Sequence, residues 1–320
     1  MCIAVRLVRP RLTAQTSGSI ISPSNASGVV GIKPTVGLTS RTSVIPISPE
    51  MDTLGPMARN VEDAAAMLSA MAGRDPKDSK TALIPFDSTP DYRAMCRRAA
   101  GPAKYKLGVP RHTFDDVPAP ILAAFETLVA KLQAQGVTVV DCEFSGLATY
   151  LAMTADDRCD FMAGQFAPAL AAYCSSLATN PHGITGLAAA VEYTRATEAE
   201  ECAARPVDRF EQSLAVAGAT AAYAAAVETR AFLAGEGGIQ ATLDADALDA
   251  LLLPTEAYAA NYLAGVGGNP QVAVPLGYLP DGFEVARNDT GRLVAKGPNV
   301  PCVAISALCL FFTVLTSQTN

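Results

Sequence analysis

Apolar and polar positions divide the chain into three stretches of different texture. Up to Pro56 short apolar groups are broken by glycine, proline and hydroxyl residues, and this part reads as loop-rich. Residues 16–35, TSGSIISPSNASGVVGIKPT, hold three glycines, seven hydroxyl residues and two prolines, a mixture that no helix or strand requires. From Asn60 a helix is predicted: Asn60 caps it, Glu62 and Asp63 suit its positive end, Ala64–Met71 are mostly strong formers, and Gly73 stops it. A polar connector follows. Then YKLGVP (105–110) reads as a short buried strand, and the next segment as a helix with Ile121, Leu122, Phe125, Leu128, Val129 and Leu132 on one face. VTVVDCEF (137–144) is the next strand, so Gly136 ends the helix of a βαβ crossover. Residues 151–234, Ala-rich and punctuated by Pro168, Pro181 and Pro206, read as several packed helices. LDALLLP (248–254) is a buried strand, ANYLAGVGGNP (260–270) a glycine-rich loop, and QVAVPLG (271–277) a further strand. Alternation of this kind predicts a layered α/β architecture.

Composition sharpens that picture. Half of the 320 residues are apolar, only 17% are charged and tryptophan is absent, so the core must be built from Ala, Val, Leu and Ile. A net charge of −7 with no basic stripe disfavours nucleic acid as a partner. Eight scattered cysteines, without a CxxC pair, imply reduced thiols and neither metal nor disulfide. The first residues, MCIAVRLVRPRLT, are too interrupted for a secretory signal. Cys302–Leu315 is an apolar run shorter than the roughly 20 residues that span a bilayer, and reads as a buried strand or helix rather than a membrane anchor. A cytoplasmic location is the expectation.

One short turn carries candidate chemistry. A serine becomes a nucleophile when a base takes its proton and backbone N–H groups face the oxyanion formed on attack. In Thr16-Ser17-Gly18-Ser19-Ile20 small residues leave successive amides accessible, and Gly18 lets the chain turn tightly beside Ser19. An ordinary Ser/Gly turn would look the same over five residues.

The longer context separates the two. From TSGSI through GVVGIKPT to DTLGPMARNVEDAA the chain resembles the amidase signature family along the whole stretch, and weaker likeness continues through KLGVPR and GGNPQVAVPLG. The resemblance is strongest toward the acetamidase and general amidase branch. It implies an α/β fold, an amidase-signature-type mixed β-sheet flanked by α-helices, incomplete at both ends. The expected division is a non-family segment at 1–12, an amidase-like domain at 13–300 and a divergent apolar segment at 301–320. It also implies a Ser-Ser-Lys mechanism without cofactor or metal, in which Ser19 is the acylating nucleophile and the amides of Thr16, Ser17, Gly18 and Ser19 bind the oxyanion. The expected substrate is a small-molecule amide, and the expected assembly a homodimer.

The chain also departs from that pattern. The family's bridging serine and its lysine base belong upstream of anything matched here, so the expectation is an impaired hydrolase; the alternative is a non-catalytic remnant that serves as a binding or subunit protein. Lys33, in GIKPT, is read as part of a scaffold turn, and His112 and His182 as solvated loop residues. Asp52, Arg59 and Asp63 are read as ion-pairing and helix-capping groups, with Gly55 and Pro56 setting the approach to the helix. Gly267 and Gly268 suit either ligand access or a tight turn, and Met67 and Met71 are expected in the core.

Overall fold

A computed structural model describes residues 11–98, 104–218, 220–278 and, as backbone, 302–309. The sequence expectations for 1–10, 279–301 and 310–320 lie outside the described residues. The loop-rich reading of the first part needs correction, because four regular elements form there: β1 (Arg11–Gln15), α1 (Ile21–Ser27), β2 (Val30–Lys33) and β3 (Thr53–Ala58). α1 tolerates its Ser and Pro content for a physical reason: Pro23 lies in the first turn, where a missing N–H breaks no helical bond. Gly28, in the left-handed region at φ 62°, then closes it by donating back to Asn25 and Ser24. β3 contains Gly55 because a side chain there would collide with the carbonyl of Ile32 on the neighbouring strand.

The next elements follow the predicted pattern more closely. α2 (Val61–Met71) starts with Asn60 accepting from the Asp63 N–H at 2.8 Å, while the Asn60 amide returns a bond to the Asp63 carboxylate. Its buried face is Ala64, Ala65 and Leu68; Met67 and Met71 are only half-buried, so they are not the core residues expected. α3 (Tyr92–Arg98) precedes β4 (Lys106–Val109), α4 (Ala119–Ala134) and β5 (Thr138–Asp141), which make the expected parallel crossover. Ile121, Phe125 and Val129 of α4 are buried, and Leu122, Leu128 and Leu132 pack beside them. Five helices then fill most of 147–234: α5 (Leu147–Ala152), α6 (Asp157–Ser175), α7 (Leu187–Ala196), α8 (Asp208–Val216) and α9 (Ala221–Ala234).

α10 (Ile239–Ala245) leads into β6 (Ala250–Pro254), α11 (Tyr258–Val266), β7 (Gln271–Tyr278) and β8 (Cys302–Cys309). α11 corrects the glycine-rich loop: Ala259, Ala260, Leu263, Ala264, Gly265 and Val266 are all buried, and small apolar residues let a helix sit deep between layers. The strands form one mixed sheet in the order β1-β3-β2-β7-β8-β6-β4-β5. Pairing is antiparallel from β1 through β8 to β6 and parallel across β6, β4 and β5. The larger core lies around Phe125, Leu251, Leu253 and Leu263, and a second packs α2 and Tyr92 of α3 against β2, β3 and β7. The expected mixed sheet flanked by helices is thus the observed fold.

Candidate active site

The predicted nucleophile sits on the turn that joins β1 to α1. Ser19 is exposed, Ser17 and Gly18 are half-buried, and Thr16 and Ile20 are buried. Among the described residues no hydrogen bond takes up the N–H of Ser17, Gly18 or Ser19, so three successive donors are uncommitted beside the Ser19 hydroxyl. The carbonyl of Gly18, by contrast, accepts from the Ser22 N–H at 2.8 Å and starts the helix. The structure therefore brings the four predicted site residues into one turn at the mouth of α1.

Thr16 faces the interior. Its hydroxyl donates to Asp52 Oδ1 at 2.6 Å, and Asp52 Oδ2 accepts from the N–H groups of Ile47 and Ser48 at 2.8 and 2.9 Å. Burial raises the Asp52 carboxyl above its ordinary value, opposed by the pull of Thr16, Ile47 and Ser48. Asp52 is thus a tie between the Thr16–Ile20 turn and residues 47–48, and it also lines a cavity of about 200 Å³ with Arg41, Thr42 and Lys77. A larger cavity of about 350 Å³ lies across Pro49, toward Gln165 of α6 and Tyr223 of α9. Neither lining includes Ser19.

Ser19 Oγ has no hydrogen bond to any other described residue. Lys33 is fully buried on β2, where Nζ donates to the carbonyls of Asn269 at 2.7 Å and Pro34 at 3.3 Å. With no carboxylate beside it among the described residues, burial lowers its pKa to about 7. This agrees with a scaffold role and adds that the scaffold is a desolvated amine. His112 corrects the solvated reading: it is half-buried against Phe144, its Nε2 accepts from the Phe144 N–H at 3.1 Å, and burial lowers its pKa. His182 is exposed and lies by Tyr193, as expected of a loop residue. Asp63 does not itself cap α2: it lies in the first turn, its N–H donating to the Asn60 cap and its carboxylate accepting from the Asn60 amide, whereas Arg59 is exposed and enters no ion pair among the described residues. Gly268 lies at φ +68° in the turn before β7, where its carbonyl accepts from the Val36 N–H.

Sequence reading missed the groups that hold the turn. Gln15, 1% exposed at the end of β1, accepts from the N–H groups of Ile20 and Ile21 and donates to the carbonyl of Ser17. From the other side, α11 comes so close that a side chain at Gly265 would press on Ser17 Cα at 3.2 Å. The only sequence signal for Gln15 was a polar residue immediately before the turn. Among the described residues, no three His, Cys, Asp or Glu side chains gather as a metal site.

The mixed sheet thus carries an exposed serine at a strand-to-helix turn whose Ser17, Gly18 and Ser19 amides are uncommitted among the described residues. The chain matches the Amidase family over residues 1–274 and belongs to it. A protein of Arthroderma benhamiae named "Putative amidase" is 36% identical over 295 residues, which is 91% of this chain and 49% of the relative. The chain thus spans about half the length of that relative. A glutamyl-tRNA(Gln) amidotransferase subunit of Methylocella silvestris is 39% identical over 140 residues, 43% of this chain and 27% of the relative. Among solved structures, the native peptide amidase of Stenotrophomonas maltophilia superposes with a TM-score of 0.74 at 29% identity, covering 94% of this chain and 59% of that one.

Proposed function

We propose that this polypeptide carries the acylation half of an amide hydrolase site, with Ser19 as nucleophile and the N–H groups of Thr16, Ser17, Gly18 and Ser19 as oxyanion donors. Attack of Ser19 Oγ on R–CO–NHR′ breaks the C–N bond, leaves the acyl group as a serine ester and releases the amine with the serine's proton. Water then cleaves the ester to the acid and restores the hydroxyl. The observation that carries this reading is the exposed Ser19 hydroxyl beside three uncommitted amides. Family membership and the likeness to a peptide amidase support a carboxamide as the substrate class.

A serine hydroxyl without a base loses about a hundred- to ten-thousand-fold in the proton-transfer step. Ser19 Oγ has no hydrogen-bonded base among the described residues, and Lys33 is spent on two carbonyls. We therefore infer weak turnover by these residues alone, with the base supplied by a lysine and bridging serine of the family type from elsewhere. A fluorophosphonate probe tests both statements. The chain is expected to label slowly, with the label confined to Ser19 and absent from Ser19→Ala. Fast labelling would refute the impaired reading, and labelling that survives Ser19→Ala would refute the nucleophile assignment. Absence of any labelling, with retained binding of an amide, would favour the non-catalytic alternative.

A further inference from the structure

The nucleophile turn is held by a side chain that plays no part in the chemistry described so far. Gln15 Oε1 accepts from Ile20 N–H at 2.6 Å and Ile21 N–H at 3.0 Å, while Nε2 donates to Ser17 O at 3.0 Å and to Gln271 Oε1 at 3.3 Å. A carboxamide suits this place because it presents an acceptor and donors from one planar group. The contacts do not end there. Gln271, itself fully buried, donates to Asn261 Oδ1 at 2.9 Å, and Asn261 donates to the carbonyl of Thr255 at 2.6 Å. Three side-chain amides thus point the same way, from β1 through β7 and α11 to the end of β6. Each donation fixes which edge of the next amide faces back, and a backbone carbonyl terminates the series.

The relay also solves a local problem. α1 begins without a side-chain cap of its own, since the residue before its first turn is Ile20. Its first N–H groups are buried donors that would otherwise need a partner from within the turn. Gln15 takes them from the preceding strand and holds the Ser17 carbonyl as well. That leaves the N–H groups of Ser17, Gly18 and Ser19 with no internal demand upon them.

We propose that Gln15 is a positioning residue for acylation: by occupying the Ile20 and Ile21 amides and the Ser17 carbonyl, it keeps the neighbouring amides free for the acyl oxygen. The catalytic part of this rests on Ser19 being the nucleophile; the hold on the turn does not. The experiment compares the full chain with Gln15→Leu and Gln15→Glu in two measurements. Leucine removes acceptor and donors at similar size, whereas glutamate keeps the acceptors for Ile20 and Ile21.

With a fluorophosphonate probe, Gln15→Leu is expected to slow the maximal rate of Ser19 labelling about tenfold or more. Gln15→Glu keeps the acceptors for Ile20 and Ile21 but not the donation to Ser17 O, and is expected to fall between the two chains, a partial rescue that a merely space-filling role would not give. Amide hydrogen exchange supplies the second readout. Ile20 and Ile21 are expected to exchange about tenfold faster in Gln15→Leu than in the unsubstituted chain, with β6 unchanged and Gln15→Glu protected. Equal labelling of the unsubstituted and leucine chains, or unchanged exchange at Ile20 and Ile21, would overturn the proposal. If the unsubstituted chain labels no faster than Ser19→Ala, the nucleophile reading fails instead, and the exchange data alone decide whether Gln15 holds the turn.

Discussion

The two halves of the sheet are stabilised by different means. Around β4, β5 and β6 the interior is hydrocarbon: Phe125, Leu251 and Leu253 are completely buried, and Phe114 meets Phe125 edge-on. Around β1, β2 and β7 the interior is threaded with polar groups, including Gln15, Lys33, Thr53 and Gln271, each at most 1% exposed. Apolar burial is strong but tolerant of small shifts, whereas a hydrogen bond weakens steeply with angle and distance. The half that bears the proposed nucleophile turn has accepted the cost of desolvating polar groups in return for defined geometry. Its stability should therefore respond to pH and to single-atom changes, and the other half mainly to lost volume.

The largest effect is expected from emptying the hydrocarbon side. Phe125→Ala should cost about 3–5 kcal/mol, read as a drop in denaturant midpoint, with labelling of Ser19 in the folded fraction unchanged. A parallel loss of Ser19 reactivity would show that the two halves are not separable. Next comes Lys33, whose pKa falls from 10.5 to about 7 on folding. Between those values the unfolded chain binds the extra proton, so stability rises with pH through the window and is lost as pH falls toward 7. The slope is about 1.4 kcal/mol per pH unit at its steepest. Lys33→Met should remove it, and an unchanged pH profile of unfolding would contradict the assignment. Thr16→Val breaks a bond to a buried carboxylate and should cost about 1.5–3 kcal/mol, while also slowing Ser19 labelling, unlike Phe125→Ala. At the small end, Arg111, just after β4, pairs on the surface with Glu126 of α4 and Asp141 of β5. Glu126→Gln should change stability by only about 0.2–1 kcal/mol, measured by the same unfolding curves at low and high salt.

The same contrast explains what could be read from the sequence. Periodic apolar positions announced α4, β4, β5 and β6, and the Asn60 cap announced α2; in α4 and β6 local chemistry and burial agree, whereas β5 has no buried residue and was marked by its β-branched run alone. β2 and β3 were hidden. β2 is four residues ending in a buried lysine, and β3 carries both Gly55 and Pro56, residues that ordinarily argue against a strand. α11 was obscured by the glycines that follow it, although its own Ala-rich run suits a buried helix. Of the proposed site, the small residues and glycine of the Ser19 turn marked only accessible backbone, and its reading as a nucleophile turn came from the family resemblance of the longer stretch around it. The turn's supports were not legible: Gln15, Asn261 and Gln271 lie between 10 and 256 positions apart along their mutual contacts, and only folding reveals that their amides meet.

The position of β8 carries a consequence for how the molecule is made. Although β8 is the last described strand in chain order, it lies between β7 and β6, pairing antiparallel with both. A nascent chain that has emerged only to Tyr278 holds both flanking strands but not the one that joins them. The polar side and the hydrocarbon side then lack the strand that joins them, with two strand edges open to any extended peptide. Residues 302–309 act as the closing stave, and until they are made the facing edges of β6 and β7 lack the partner that β8 gives both of them.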